Sequence, residues 1–199
     1  LSALMELNVV PKIIDVDQAL NYLHDGYSEK NRSLIKGIKK LEPGSFLEYD
    51  IKGGGVKIDR YWHIPRFDEN FQTESLEEDL VSILEQSVEE QLFADVQTSV
   101  LLSGGLDSSL ITAIAANVKD KVQTFSVSFS KDKKYNEIEH ANQIANYCNT
   151  EHNVLNIDGI SLSSLIEVCN NIDEPVMDSS FIPTFFLAKE VGKFTKVVL

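Results

Sequence analysis

Residues Val100–Ser109, Val-Leu-Leu-Ser-Gly-Gly-Leu-Asp-Ser-Ser, run from the end of a buried strand through a tight glycine turn into a helix. The apolar run Thr98 to Leu102 predicts the strand. The helix is expected from Ser108 to about Asn117, with Leu110, Ile111, Ile114 and Ala115 on its apolar side. Glycine at 104 and 105 lets the backbone approach a ligand that a side chain would hold off. The first amides of a helix have no partner within it, and the helix dipole favours an anion there. The bland alternative is an ordinary glycine turn closed by a serine cap.

The residue types narrow the anion. A Walker A loop would end in Gly-Lys-Ser/Thr, and a dinucleotide fingerprint would read Gly-x-Gly-x-x-Gly; neither is present. No lysine lies in the turn to neutralise phosphate. Asp107 stands there instead, and a carboxylate beside a phosphate needs a cation between them. Mg²⁺ suits that place, held by one or two carboxylates and by phosphate oxygens. Ser103, Ser108 and Ser109 are expected to add hydroxyl donors. The loop therefore reads as a seat for a magnesium pyrophosphate.

Composition bounds the rest. The 199 residues suffice for one large or two small domains, with ordinary hydrophobic and charged content. A net charge of −13 without a local basic patch argues against a nucleic-acid surface. No apolar run spans a membrane, and no signal peptide is evident. Cys148 and Cys169 fall on expected helices at apolar positions without metal spacing, so both are expected as buried, reduced thiols. The chain opens on Leu1 and stops at Leu199 inside an expected strand, which reads as an internal fragment.

Residues 1 to 66 carry no chemistry by themselves. Asp15 is expected to cap a short helix through Leu23, with Ala19, Leu20 and Leu23 inward and Gly26 past its end. Leu41-Glu42-Pro43-Gly44 has the order of a type II turn. Ser45–Ile51 and Val56–Trp62 flank a glycine-rich turn and predict a hairpin. His24 reads as a surface histidine at a helix end. Residues 67 to 73 read as a linker. Ser75 and Glu78 then form a capping-box pattern, and Leu80, Ile83, Leu84, Val88 and Leu92 predict an amphipathic helix from Leu76 to Phe93.

Beyond the loop, strands are expected at Thr124–Phe129, Asn153–Ile157 and Thr195–Leu199. Helices are expected at Asn136–Cys148, Ser161–Asn170 and Ser180–Val191. In Thr124–Phe129, phenylalanine and valine alternate with serine, giving one packed and one polar face. Alternating strands and helices imply a parallel sheet covered on both sides, with ligands outside the carboxyl ends of its strands. Those ends are Leu102 with Ser103, and Val127 to Phe129, whose backbone suits an adenine edge. Asp173-Glu174-Pro175 and Asp178-Ser179-Ser180 precede a helix starting near Pro183. They fit either a capped helix start with surface acids or substrate and metal contacts at the mouth of the site. Glu137 reads as a cap and His152 as structural.

Ser103-Gly104-Gly105-Leu106-Asp107-Ser108-Ser109 resembles the pyrophosphate loop of the ATP pyrophosphatases that adenylate a substrate. That group includes asparagine, argininosuccinate and GMP synthetases and tRNA-thiolating enzymes. Ile35 to Ser45 with Arg60-Tyr61-Trp62 resembles the closing segment of the glutaminase domain of asparagine synthetases. The Asp-Glu-Pro and Asp-Ser-Ser-x-Ile-Pro-Thr runs are similar to those of bacterial and archaeal relatives. The resemblance covers nearly the whole chain and is strongest from Glu78 to Leu199.

It implies an α/β fold, a doubly wound parallel sheet (adenine nucleotide alpha hydrolase-like). This is preceded by a small α+β remnant of an N-terminal-nucleophile glutaminase domain. Residues 1–66 would be that remnant, 67–73 the linker and 74–199 the first part of the synthetase domain. The implied ligands are ATP and Mg²⁺. ATP would contact Leu102, Ser103, Gly104, Gly105, Leu106, Asp107, Ser108, Ser109 and the backbone of Val127. Asp107 would touch the metal, and Asp178 and Ser179 the substrate. Some asparagine synthetases place an arginine near Ser179, which leaves the acceptor open. The implied activity is glutamine-dependent asparagine synthesis through a β-aspartyl adenylate. Its partners would be aspartate, glutamine and ATP, with no nucleic acid or membrane, in the cytoplasm, and with a homodimer among the assemblies open to it. The glutaminase cysteine is the first residue of its domain; Leu1 is not that residue, so no catalytic nucleophile is assigned. Two other readings stay open: a related ligase acting on a sugar acid or β-lactam precursor, and a non-catalytic nucleotide-binding module.

Overall fold

A computed structural model describes residues 1–29, 31–66, 75–129, 138–157, 161–175 and 177–199. The expected linker 67–73 and the Tyr135-Asn136-Glu137 helix start lie outside the described residues. The chain divides into two compact units, Leu1–Phe71 with Glu167–Ser179, and Gln72–Ile166 with Ser180–Leu199.

The first unit holds helices α1 (Ser2–Glu6) and α2 (Val16–Asp25) and strands β1 (Ser45–Tyr49) and β2 (Val56–Arg60). Asp15 caps α2, accepting from the Gln18 amide at 3.4 Å, and Arg32 Nη2 donates to its other oxygen at 2.6 Å. That guanidinium holds the Asp15 carboxyl below its ordinary range. Gly26, at φ +83°, ends the helix. The expected inward residues differ: Leu20 and Leu23 are 59% and 69% exposed, and Gln18 is the fully buried one. The reason is polar. Gln18 Oε1 accepts from the Glu29 amide at 2.9 Å, so a hydrogen-bonded segment covers α2 where an apolar one was expected. His24 is exposed and has a partner, Asp25, at 2.6 Å.

The hairpin forms in register, with Leu47 opposite Ile58 and Tyr49 opposite Val56. Gly44, at φ +71°, turns the chain into it, and a Cβ there would strike the Trp62 carbonyl. Residues 167–179, placed by sequence with the nucleotide unit, pack with this first unit. Glu174 accepts from the Leu34 amide at 3.0 Å, from Ser28 at 3.4 Å and from Lys40 Nζ. Asp173 accepts from the Ser2 amide at 3.0 Å and from the Ser2 hydroxyl. Neither acid is a loose surface group; both clasp distant chain segments together.

The second unit opens with α3 (Leu76–Leu92) and β3 (Thr98–Leu101), then α4 (Leu106–Val118), β4 (Gln123–Phe129), α5 (Ile138–Tyr147) and β5 (Glu151–Ile157). It continues through α6 (Leu162–Asn170), which leads into the first unit's segment, and closes with α7 (Phe181–Val191) and β6 (Val197–Val198). The strands are all parallel in the order β5-β4-β3-β6. Side chains alternate sides along a strand, so Val100 and Leu102 share one face. Val100 packs with Val88 and Leu92 of α3, Ile114 and Ala115 of α4, and Val122. Leu102 packs with Ala141 and Ala145 of α5. The opposite face carries Phe125, whose ring meets Phe194, just past α7, at 5.5 Å. Helical elements thus cover both sides.

Several expectations shift. The Ser75 side chain makes no cap hydrogen bond to the helix; its Oγ donates to Asp79 at 3.1 Å. On α3, Val88 and Leu92 are buried and Leu84 partly so, while Leu80 and Ile83 are exposed. The expected polar face of β4 is buried too, since Thr124 and Ser126 lie under helices. Thr124 bonds Thr150 and His152 Nδ1, each at 2.9 Å. Burial lowers the pKa of His152. Cys148 is half-buried, which raises its thiol pKa, and Cys169 is exposed; both are free.

Candidate functional site

The glycine loop sits where β3 stops and α4 begins. α4 starts at Leu106, two residues earlier than expected, so Asp107 and Ser108 belong to its first turn. Gly104 takes φ +89°, a backbone shape that favours glycine, and Gly105 is the N-cap. The first amide of the turn to close back is that of Ser109, which donates to the Gly105 carbonyl at 3.1 Å. The amides of Gly104, Leu106, Asp107 and Ser108 have no hydrogen-bond partner among the described residues. Four open N–H groups at one helix start are what an anion needs.

The serines act differently from expectation. Ser103 and Ser108 hydroxyls bond each other at 2.9 Å. The Ser103 amide donates to Ser108 Oγ, and the Gly105 amide to Ser103 Oγ, each at 3.2 Å. Ser108 Oγ also reaches the Gly105 carbonyl at 3.3 Å. The pair braces the loop from within, and it takes the Gly105 amide out of the anion seat. Ser109 is half-buried on α4. Leu106 is 82% exposed and the Asp107 carboxylate is exposed with no ion pair or hydrogen bond among the described residues.

Beside the loop the ladder ends. Backbone groups along a strand alternate sides, and Leu102 N–H donates to the Phe125 carbonyl at 2.8 Å. Odd-numbered residues of β4 therefore point their N–H and C=O toward β3. Val127 does so one step beyond the end of β3, and both its groups are unpaired among the described residues.

The edge of the loop and the strand ends line a pocket of about 280 Å³, while Gly104, Gly105, Leu106, Asp107 and Ser109 are not among its lining residues. Leu102, Ser103, Ser108 and Val127, all expected from sequence, line it. So do Ser126, Ile138, Pro183, Thr184 and Leu187, which sequence did not single out as contacts. The Pro183-Thr184 pair in the first turn of α7 was the available signal. Asp178 and Ser179 are exposed residues of the first unit.

The residues fit a magnesium ion in one way. Among the described residues no three or more His, Cys, Asp or Glu side chains converge. Asp107 would be a single protein ligand, which suits Mg²⁺ when phosphate oxygens and waters complete its shell. Among the described residues no helix is long and apolar enough to cross a membrane.

Residues 79–199, more than half of the chain, match the family model described as asparagine synthase. This chain belongs to the asparagine synthase family. It is 28% identical to glutamine-hydrolysing asparagine synthetase 1 of Bacillus subtilis, over 94% of this chain and 29% of that protein. It is 32% identical to a Mycobacterium bovis protein with the provisional name of a glutamine-hydrolysing asparagine synthetase, over 87% of this chain and 27% of that protein. A similarly named Methanocaldococcus jannaschii protein is 29% identical over 94% of this chain and 36% of its own length. The chain thus spans roughly a quarter to a third of these relatives, which are named as glutamine-hydrolysing asparagine synthetases. Among solved structures, an ammonia-dependent NAD synthetase from Campylobacter jejuni aligns over 61% of this chain and 54% of its own, at 16% identity and TM-score 0.42.

Proposed function

We propose that this asparagine synthase-family chain supplies the nucleotide site of an enzyme that adenylates a carboxylate with ATP and then amidates it. The supporting observation is the start of α4: four amides and the Asp107 carboxylate unpaired among the described residues, and no lysine in the turn. The amides of Gly104, Leu106, Asp107 and Ser108 would hold the diphosphate end of ATP. Asp107 would hold Mg²⁺, which when bound neutralises the charge that builds on the departing pyrophosphate. The Val127 backbone would hold the adenine edge.

The carboxylate is proposed to be the side chain of aspartate, following the names of the relatives. One of its oxygens attacks the α-phosphorus, the bond to the β-phosphate oxygen breaks, and pyrophosphate leaves. Ammonia, released from glutamine, then attacks the acyl carbon of the β-aspartyl adenylate; AMP departs and the amide nitrogen loses a proton. Asp178 and Ser179 are the proposed contacts to the acceptor. The protein's part is positioning and charge stabilisation, with no covalent intermediate on a side chain. A related ligase with a different carboxylate acceptor is the second reading: the family resemblance places an arginine near Ser179 in some asparagine synthetases, this departure leaves the acceptor open, and an acceptor screen decides between them.

The test is aspartate-dependent exchange of labelled pyrophosphate into ATP by the intact enzyme. Asp107→Ala is expected to lower exchange by on the order of 10²-fold or more. Exchange at the wild-type rate in a folded Asp107→Ala enzyme would reject the site.

A further inference from the structure

The β3–β4 ladder stops one rung short at the pocket, and a side chain explains why. In a parallel ladder the rung after Leu102 N–H to Phe125 C=O would run from Val127 N–H to Leu102 C=O. That rung is missing among the described residues. The Leu102 carbonyl instead accepts from the Ser126 hydroxyl. The register that sets Leu101 beside Phe125 sets Ser126 beside Leu102, so the hydroxyl reaches across without moving either strand. Both residues are buried, at 4% and 1% exposure. A buried carbonyl needs one good donor, and here the hydroxyl supplies it.

We propose that Ser126 is a positioning residue: by satisfying the Leu102 carbonyl it keeps the Val127 amide and carbonyl unpaired for a nucleobase. The proposal rests on the nucleotide site argued above and adds a residue to it. A free N–H beside a free C=O matches a base edge with a ring-nitrogen acceptor next to an exocyclic amine donor. Adenine presents that pair; a base with a ring N–H beside a carbonyl presents the reverse. Ser126 thus acts on base preference through the backbone of its neighbour, while its own hydroxyl stays committed to Leu102. If the hydroxyl goes, the Val127 amide becomes the nearest donor for the Leu102 carbonyl, and the rung closes at the ligand's expense.

The experiment compares ATP with 1-deaza-ATP, which lacks the ring-nitrogen acceptor, in pyrophosphate exchange by the intact enzyme. Wild type is expected to show a lower KM for ATP by several-fold to about tenfold, the usual worth of one hydrogen bond. In Ser126→Ala the KM for ATP rises by that factor with kcat unchanged, while the KM for 1-deaza-ATP stays put. Ser126→Cys, nearly equal in volume but a weak donor, behaves as the alanine variant and guards against a packing lesion. If KM for both nucleotides rises alike, or the preference for ATP survives in both variants, Ser126 is a packing residue and the proposal fails. Wild type that does not distinguish the nucleotides also sinks it; if Asp107→Ala still abolishes exchange, the loop reading stands. A wild-type enzyme with no exchange overturns both.

Discussion

The two units solve the same problem with different materials. In the second, the residues with no exposure are Val100, Phe125, Ala115 and Ala141 together with the small hydroxyl residues Ser99, Thr112 and Thr124. In the first, the most buried side chains are Gln18 and Ser33, while Leu23, Ile51 and Trp62 stay exposed. The second unit is held by burial of apolar area, the first by directed hydrogen bonds and ion pairs that tie segments far apart in sequence. Burial is non-directional and tolerates small shifts; a clasp depends on single groups in place. A nucleotide loop that must hold its amides in fixed positions stands on the first kind of support.

The largest effect should come from breaking that support. Phe125 is fully buried on β4, one rung from the loop, with its ring against Phe194. Phe125→Ala should cost about 3–5 kcal/mol, which lowers the thermal midpoint by roughly 10 °C or more. Far-UV circular dichroism reads this chiefly through α3, α4 and α5. Trp62 is the only tryptophan and lies in the first unit, so its fluorescence reports the other unit separately. A small shift of the dichroism midpoint would mean that the sheet does not carry the second unit.

The converse test removes a clasp. Glu174→Ala leaves the Leu34 amide without its acceptor and the Lys40 ammonium with the Ser28 hydroxyl alone, and should cost roughly 1–3 kcal/mol. Here the Trp62 transition should move and the dichroism midpoint should hold. Equal shifts by both probes would show that the units melt as one, and that the contrast drawn between them is misplaced.

The same contrast explains what could be read before the fold was known. The α/β alternation, the glycine loop, α5 with Ala141 and Ala145 inward, and the hairpin were legible, because each rests on local periodicity or turn chemistry. The inward faces of α2 and the first half of α3 were not. Periodicity marks an apolar stripe, but it does not say that something covers the stripe, and Leu20, Leu23, Leu80 and Ile83 are left open. The clasps of Asp173 and Glu174 were also invisible, since their partners lie more than a hundred residues away. Around the loop, the places of Gly104 in the turn, Asp107 at the helix start and Val127 near the strand end were legible from the motif and the strand order. The internal use of Ser103 and Ser108 did not, because a serine that braces a loop and one that greets a ligand have the same letter.

The smallest predicted effect tests whether the second unit is as apolar as the comparison makes it. His152 on β5 bonds Thr124 through Nδ1, and its Nε2 is buried without a partner among the described residues. Burial disfavours the imidazolium, so the folded pKa lies below the ordinary 6.5. As pH falls through 6.5 the unfolded chain takes up the proton first, and the folded state loses ground. The stability that neutral His152 permits is therefore complete above 6.5 and declines below it, toward the folded pKa. Thermal midpoints of wild type and His152→Gln, measured by dichroism between about pH 8 and about pH 5, should converge as acid is added. A constant gap between the two across that range would mean that the imidazole keeps the same proton affinity folded and unfolded. The Thr124–Thr150–His152 cluster would then be a solvated rim of the sheet, and the core of the second unit would end at Phe125.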